Sequence, residues 1–205
     1  MSRLDVRKTY KLYIGGEFPR SESGRSYEVG GANVAQASRK DVRDAVRAAR
    51  SAQVGWAGRT AYNRGQILYR MAEMMEARRA LLAGLCEGEA EVDAAIDRMV
   101  WYAGWADKLA QVLGSSNPVA GPYFNFTVPE PTGVVGILAP EEPALAGHMD
   151  VNAIDVSGAD GEVAELERLA AENVKRVVDG AADGQSLWEI AAFLELKTVW
   201  HPIGR

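Results

Sequence analysis

Hydrophobic and polar positions along the chain change period several times, and each change predicts an element. Between Tyr10 and Phe18, Leu12 and Ile14 alternate with Lys11 and Tyr13 before Gly15-Gly16, the pattern of a β-hairpin with a tight glycine turn. Ser21–Arg25 reads as a polar loop and Ser26–Val29 as a short strand stopped by Gly30-Gly31. The spacing then becomes helical. Ser38-Arg39-Lys40-Asp41 forms a capping box with Asp in place of the usual Glu or Gln. Val42, Ala45, Val46, Ala49 and Ala52 follow on one face, ending at Gly55 and Gly58 beside Trp56. A second helix is predicted from about Ala61 to Ala83. Its core stripe is Ile67, Leu68, Met71, Met74 and Met75, opposed by polar Arg64, Arg70, Glu73 and Arg78.

A third helix is predicted over Glu89–Leu113, with Val92, Ile96, Met99 and Val100 on one face. Trp101 and Trp105 lie one turn apart, placed to pack against the neighbouring helix. Gly104 carries a propensity cost of about 1 kcal/mol, which predicts a close neighbour on its face. Gly114–Pro122 is a linker, and Tyr123–Val128 is a strand closed by Pro129. Val134–Ala139 is an apolar run of buried-strand type, entered through Pro131 and Gly133 and stopped by Pro140, with Glu141 and Glu142 at the stop. Val151–Ser157 reads as another strand, Glu162–Val178 as a helix, and Asp179–Gln185 as a loop. A short helix over Ser186–Phe193 and an alternating strand over Leu194–Trp200 complete the pattern, which is that of an α/β fold.

Composition narrows what such a fold could do. The chain has 205 residues, 47% hydrophobic and 25% charged, enough for one sizeable core or two small ones. A net charge of −5 with no dense Lys/Arg run disfavours nucleic acid as a partner. No apolar run is long enough to span a bilayer, and the N-terminal M-S-R-L-D-V-R-K-T-Y has no secretory core, so membrane partners are not expected. Cys86 is the single cysteine, which excludes an intramolecular disulfide and suits a reducing, cytoplasmic setting.

Candidate chemistry is sparse. Cys86 has no base near it in sequence and reads as a structural or surface thiol. His148 and His201, the only histidines, give no metal-ligand spacing. Glu141 and Glu142 point apart on an extended segment and read as a solvated acidic turn rather than an acid/base pair. Neither G-x-x-x-x-G-K-[ST] nor G-x-G-x-x-G occurs. No catalytic, cofactor-binding or metal-binding residue is therefore assigned.

Several segments, in order, resemble the aldehyde dehydrogenase family. The opening K-L-Y-I-G-G-E-F is similar to that family's first hairpin, and Asp41–Trp56 to its first helix. Y-A-G-W-A-D at Tyr102–Asp107 resembles a specific family signature, and Glu130–Pro140 the entry to the cofactor domain. His148–Gly158 is similar to the strand leading into the glycine turn beside the dinucleotide phosphates, Glu172–Val178 to the helix after it, and Glu195–His201 to the C-terminal strand.

The resemblance implies N-terminal helices, the remnant of a parallel, dinucleotide-binding (Rossmann-like) sheet, and a small β arm that bridges subunits. The implied organisation is 1–116 for the hairpin and helical part, 117–130 with 194–205 for the oligomerisation arm, and 131–193 for the truncated Rossmann-like remnant. It also implies NAD or NADP as the family cofactor, yet the family's machinery is incomplete. Glu141 and Glu142 stand where a Trp-Asn pair holds the oxyanion, and a carboxylate there repels the developing charge. Ala159 takes the position of the usual phosphate-turn serine, followed by Asp160. No segment matches the family's nucleophilic cysteine or its general-base glutamate. The expectation is a shortened member lacking the catalytic domain. It would be non-catalytic, bind no cofactor, and associate with itself or with a full-length aldehyde dehydrogenase. Two alternatives stand beside it: an active NAD(P)-dependent aldehyde oxidoreductase of which the sequence shows only some segments, and an unrelated helical binding module.

Overall fold

The computed structural model describes residues 4, 6–137, 145–159, 163–180 and 184–204. Its contacts divide the chain into two units, Met1–Val54 with Gly133–Val177 and Gly55–Thr132 with Val178–Arg205.

In the first unit the Gly15-Gly16 turn forms as the sequence predicts, with φ of 63° and 87°. Ile14 and Glu17 exchange both backbone hydrogen bonds across it, at 3.0 and 3.1 Å. The hairpin ends at that single bridge. Tyr13 and Phe18 meet with ring centroids 5.0 Å apart and stay exposed, so no buried face holds a longer ladder. β1 (Thr9–Tyr10) pairs instead, in parallel, with β3 (Ala32–Ala35), which also pairs antiparallel with β2 (Ser26–Val29). β3 is absent from the sequence expectation: Ala-Asn-Val-Ala has little strand propensity, and the Gly30-Gly31 turn imposes its pairing.

The capping box of α1 (Arg39–Ala57) forms reciprocally. Ser38 N–H donates to Asp41 Oδ2 at 2.7 Å, and Asp41 N–H donates to Ser38 Oγ at 3.4 Å. The Asp41 carboxylate also accepts the Glu22 N–H at 3.1 Å, which ties the preceding loop to the helix.

The parallel sheet has the order β5-β6-β7, with β5 (Val135–Ile137), β6 (Ala153–Asp155) and β7 (Arg176–Val178). Gly136 lies opposite Ile154 in the parallel β5/β6 register. Ile154, Val151 and Val156 are the largest fully buried side chains, and α6 (Val163–Ala171) packs Val163, Leu166 and Leu169 against them. The helix expected over Glu162–Val178 is shorter. It ends in a Schellman motif: Lys175 N–H donates to Ala170 O at 3.0 Å, Val174 N–H to Ala171 O at 3.2 Å, and Val174 takes φ 53°. Residues 176–178 then form β7, where Arg176 N–H donates to Asn152 O at 3.2 Å. Val-rich ends fit either period, and pairing beside β6 decides.

In the second unit α2 (Ala61–Glu76) packs on α4 (Glu89–Trp105). The point of close approach is Gly65, where an added Cβ would stand 2.9 Å from the Ala103 carbonyl oxygen. The neighbour expected at Gly104 is not there: an added Cβ meets nothing within 4 Å. Both predicted long helices break. α3 (Arg79–Ala83) follows α2 after a turn that carries Arg79 to Asp93 (2.6 Å) and Glu89 (3.5 Å) of α4. α5 (Leu109–Leu113) follows α4 and packs against β4 (Tyr123–Pro131). Met71 and Met74 lie at the rim, 44% and 41% exposed; the buried α2 positions are the small Gly65 and Ala72. Trp101 and Trp105 are half-buried and meet each other with centroids 5.9 Å apart.

β4 pairs antiparallel with β8 (Leu194–Pro202) from Tyr123↔Pro202 to Pro131↔Leu194. Pro129 does not close β4. Alternate N–H groups of that strand point away from β8, as Thr127 N–H does in donating to Ser115 O at 2.8 Å. Pro129 and Pro131 share that parity, so the ladder loses no donor. α7 (Leu187–Ala192) begins at Ser186, whose Oγ accepts the Trp188 N–H at 3.2 Å. Among the described residues no helix is long and apolar enough to cross a membrane.

Candidate functional site

Open parallel sheets place ligand-binding groups beyond the carboxyl ends of their strands. Beyond β5, residues 138–144, with Glu141 and Glu142, lie outside the described residues. Beyond β6, Asp155 Oδ1 accepts the Ser157 N–H at 3.0 Å and the Ser157 hydroxyl at 2.6 Å. Ala159 packs against the core, and Asp160 lies outside the described residues. Beyond β7 stand Asp179 and Gly180.

In the first turn of α6, Glu165 is bound to Arg168 at 2.6 and 2.7 Å, and Arg168 also reaches Glu172 at 3.3 Å. Hydrogen bonding to Arg168 is the main reason the Glu165 carboxyl sits below its usual pKa. Residues 156–159 and 179–180 contain no Lys or Arg, whereas Asp155 and Asp179 bring negative charge. The described residues of this edge therefore do not fit a pyrophosphate.

The sequence-level candidates do not converge. Cys86 is an exposed free thiol in the turn between α3 and α4, its Sγ 3.5 Å from the Gly88 carbonyl oxygen. His148 Nδ1 accepts the Asp150 N–H at 3.1 Å in the turn before β6, in the first unit. His201 lies on β8 opposite Phe124, in the second. Among the described residues no three His, Cys, Asp or Glu side chains are grouped to hold a metal.

Lys175, which no sequence pattern singles out, is buried in the turn just before β7. Its Nζ has no hydrogen-bond partner among the described residues, and burial lowers its pKa.

A mostly apolar space lies within the second unit. It is a pocket of about 570 Å³ whose walls include Trp56, Leu68, Met99, Leu109, Pro131 and Ile190. Three ionisable or polar side chains share its wall: Arg64, Tyr102 and Glu130. Glu130 is ion-paired with Lys197, and the Tyr102 hydroxyl donates to Glu189 Oε2 at 3.3 Å. Arg64 Nη1 donates to Arg59 O at 2.6 Å and to Ala57 O at 3.4 Å. Nothing in the sequence marks this pocket, because its walls come from stretches far apart along the chain. Tyr102, within Y-A-G-W-A-D, was the nearest signal.

Comparison with known proteins places these features. Residues 28–154 match the family described as the aldehyde dehydrogenase family. A putative aldehyde dehydrogenase, DhaS, of Bacillus subtilis is 35% identical over 154 residues, covering 66% of this chain and 30% of that protein. Cytosolic aldehyde dehydrogenase 1 of Elephantulus edwardii is 36% identical over 160 residues, covering 68% of this chain and 31% of that protein. The chain thus spans about a third of the length of these curated relatives. In fold it is similar to an aldehyde dehydrogenase of Bacillus cereus solved in complex with NAD+, at a TM-score of 0.72 and 22% identity, covering 83% of this chain and 50% of that one. An unrelated helical binding module is set aside by these matches. The chain belongs to the aldehyde dehydrogenase family.

Proposed function

We propose that this chain is a non-catalytic, structural or regulatory member of its family that associates with a second copy or with a full-length aldehyde dehydrogenase. The observation that carries the reading is the β4–β8 ribbon. Two strands alone are marginal in water, yet Phe124, Phe126, Leu196, Val199 and Trp200 on this ribbon remain exposed. Among the described residues of the second unit, the buried hydrophobic side chains are only Ala72 and Val92. A partner laid on the ribbon would cover both the apolar side chains and the open strand edges.

Size-exclusion chromatography with light scattering tests the association, using the chain alone and co-expressed with a full-length aldehyde dehydrogenase. The expected result is a dimer or larger, or a mixed complex. A stable monomer that ignores the co-expressed enzyme sinks the reading.

The loss of catalysis rests on Cys86 in an exposed turn and on the acidic carboxyl edge of the parallel sheet. The purified chain is expected neither to reduce NAD or NADP with an aldehyde nor to release heat on titration with either. Turnover by the pure protein would overturn this. A cytoplasmic location suits the exposed Cys86 thiol, and the net charge of −5 suits neither nucleic acid nor an anionic membrane as partner.

The 30% coverage of the curated relatives favours a second reading, in which these residues are part of a longer NAD(P)-dependent aldehyde dehydrogenase. The intact mass separates the two, since a value well above 22.2 kDa belongs to the second.

A further inference from the structure

We infer that the apolar pocket of the second unit binds an amphipathic monocarboxylate, a molecule with an apolar body and one carboxylate, with Arg64 as its anchor. The inference holds whether or not the chain is catalytic, because no group of the parallel sheet takes part.

The volume of about 570 Å³ lies in the range of small-molecule sites, and most of the wall is aliphatic or aromatic. Ala61, Arg64 and Leu68 sit at i, i+3 and i+7 on α2, so the stem of Arg64 shares one helix face with two apolar wall residues. Arg64 is half-buried, and its contacts use Nη1 alone, on two backbone carbonyls. Nε and Nη2 have no hydrogen bond, and the guanidinium no carboxylate partner, among the described residues.

The other polar wall groups are already engaged, Glu130 by Lys197 and Tyr102 by Glu189. What the pocket offers is therefore one cation with unspent, fork-shaped donors beside an apolar volume. A carboxylate matches that fork in shape and charge, and an apolar body displaces water from the rest. A neutral ligand of the same body forgoes the ionic contact, and a cation is repelled.

Displacement of anilinonaphthalene sulfonate by octanoate and by octanol, on the full chain, tests this. Octanoate is expected to compete about tenfold better than octanol. Arg64→Met should remove that advantage while octanol binding persists. Because Arg64 also caps the end of α1, a second variant leaves it untouched. Ala110→Trp, at an exposed wall position, should abolish competition by both ligands, with circular dichroism checking that the helices remain. The inference is overturned if octanoate does not compete, if acid and alcohol compete equally, or if a folded Ala110→Trp protein binds as before.

Discussion

At the scale of single residues, two positions carry more than their side chains suggest. Val174 is a β-branched residue at φ 53°, and 92% exposed, so nothing in its packing offsets the strain. Its place in the Schellman motif is one that glycine fills without cost. Val174→Gly is expected to stabilise the protein by about 1 kcal/mol, read as a higher urea midpoint. Asp41 does the opposite work. Burial by itself would raise its pKa, but hydrogen bonds from Ser38 and Glu22 outweigh burial and hold the carboxyl below its usual value. A carboxyl lowered in the folded state stabilises above its unfolded pKa of about 3.9 and loses that contribution as pH falls through the folded value. Asp41→Ala should therefore cost about 1 kcal/mol at neutral pH. The gap from the parent should narrow in urea titrations run below about pH 4.

At the scale of elements, packing corrects what periodicity proposes. Two glycines of one helix pair make the point, since propensity alone gives them the same penalty. Gly65 meets the Ala103 backbone, whereas Gly104 faces open space. Gly65→Ala should push α2 from α4 and cost roughly 1–3 kcal/mol. Gly104→Ala should be neutral or stabilising by about 0.5–1 kcal/mol. Thermal melts that rank the two variants the other way would show that the helix pair packs differently. The breaks after Glu76 and Trp105 have the same origin. The apolar spacing continues through both, but the ion pairs of Arg79 and the packing of α5 on β4 need the chain to turn.

At the scale of the whole molecule, exposed apolar surface is what the fold leaves unresolved within one chain. If the β4–β8 ribbon is the associating surface, a charge at its exposed aromatic should weaken association without unfolding either unit. Trp200→Lys is expected to lower the mass seen by light scattering, with the circular dichroism spectrum unchanged. An unchanged mass would place the contact elsewhere.

The sequence by itself determined the local events: the Ser38–Asp41 capping box, the Gly15-Gly16 turn, the alternating terminal strand, and the ordered motifs that carry the family. Each depends on residues within a few positions of one another, so hydrogen-bond chemistry and side-chain period suffice to write them. Only the tertiary structure decided that Arg176–Val178 is a strand, that Pro129 lies inside one, and that Gly65 rather than Gly104 is the contact glycine. It also moved Arg64 from an expected solvated face to a pocket wall. These outcomes turn on which element comes to lie alongside, a matter of burial and pairing between residues tens of positions apart, and no local spacing encodes that choice.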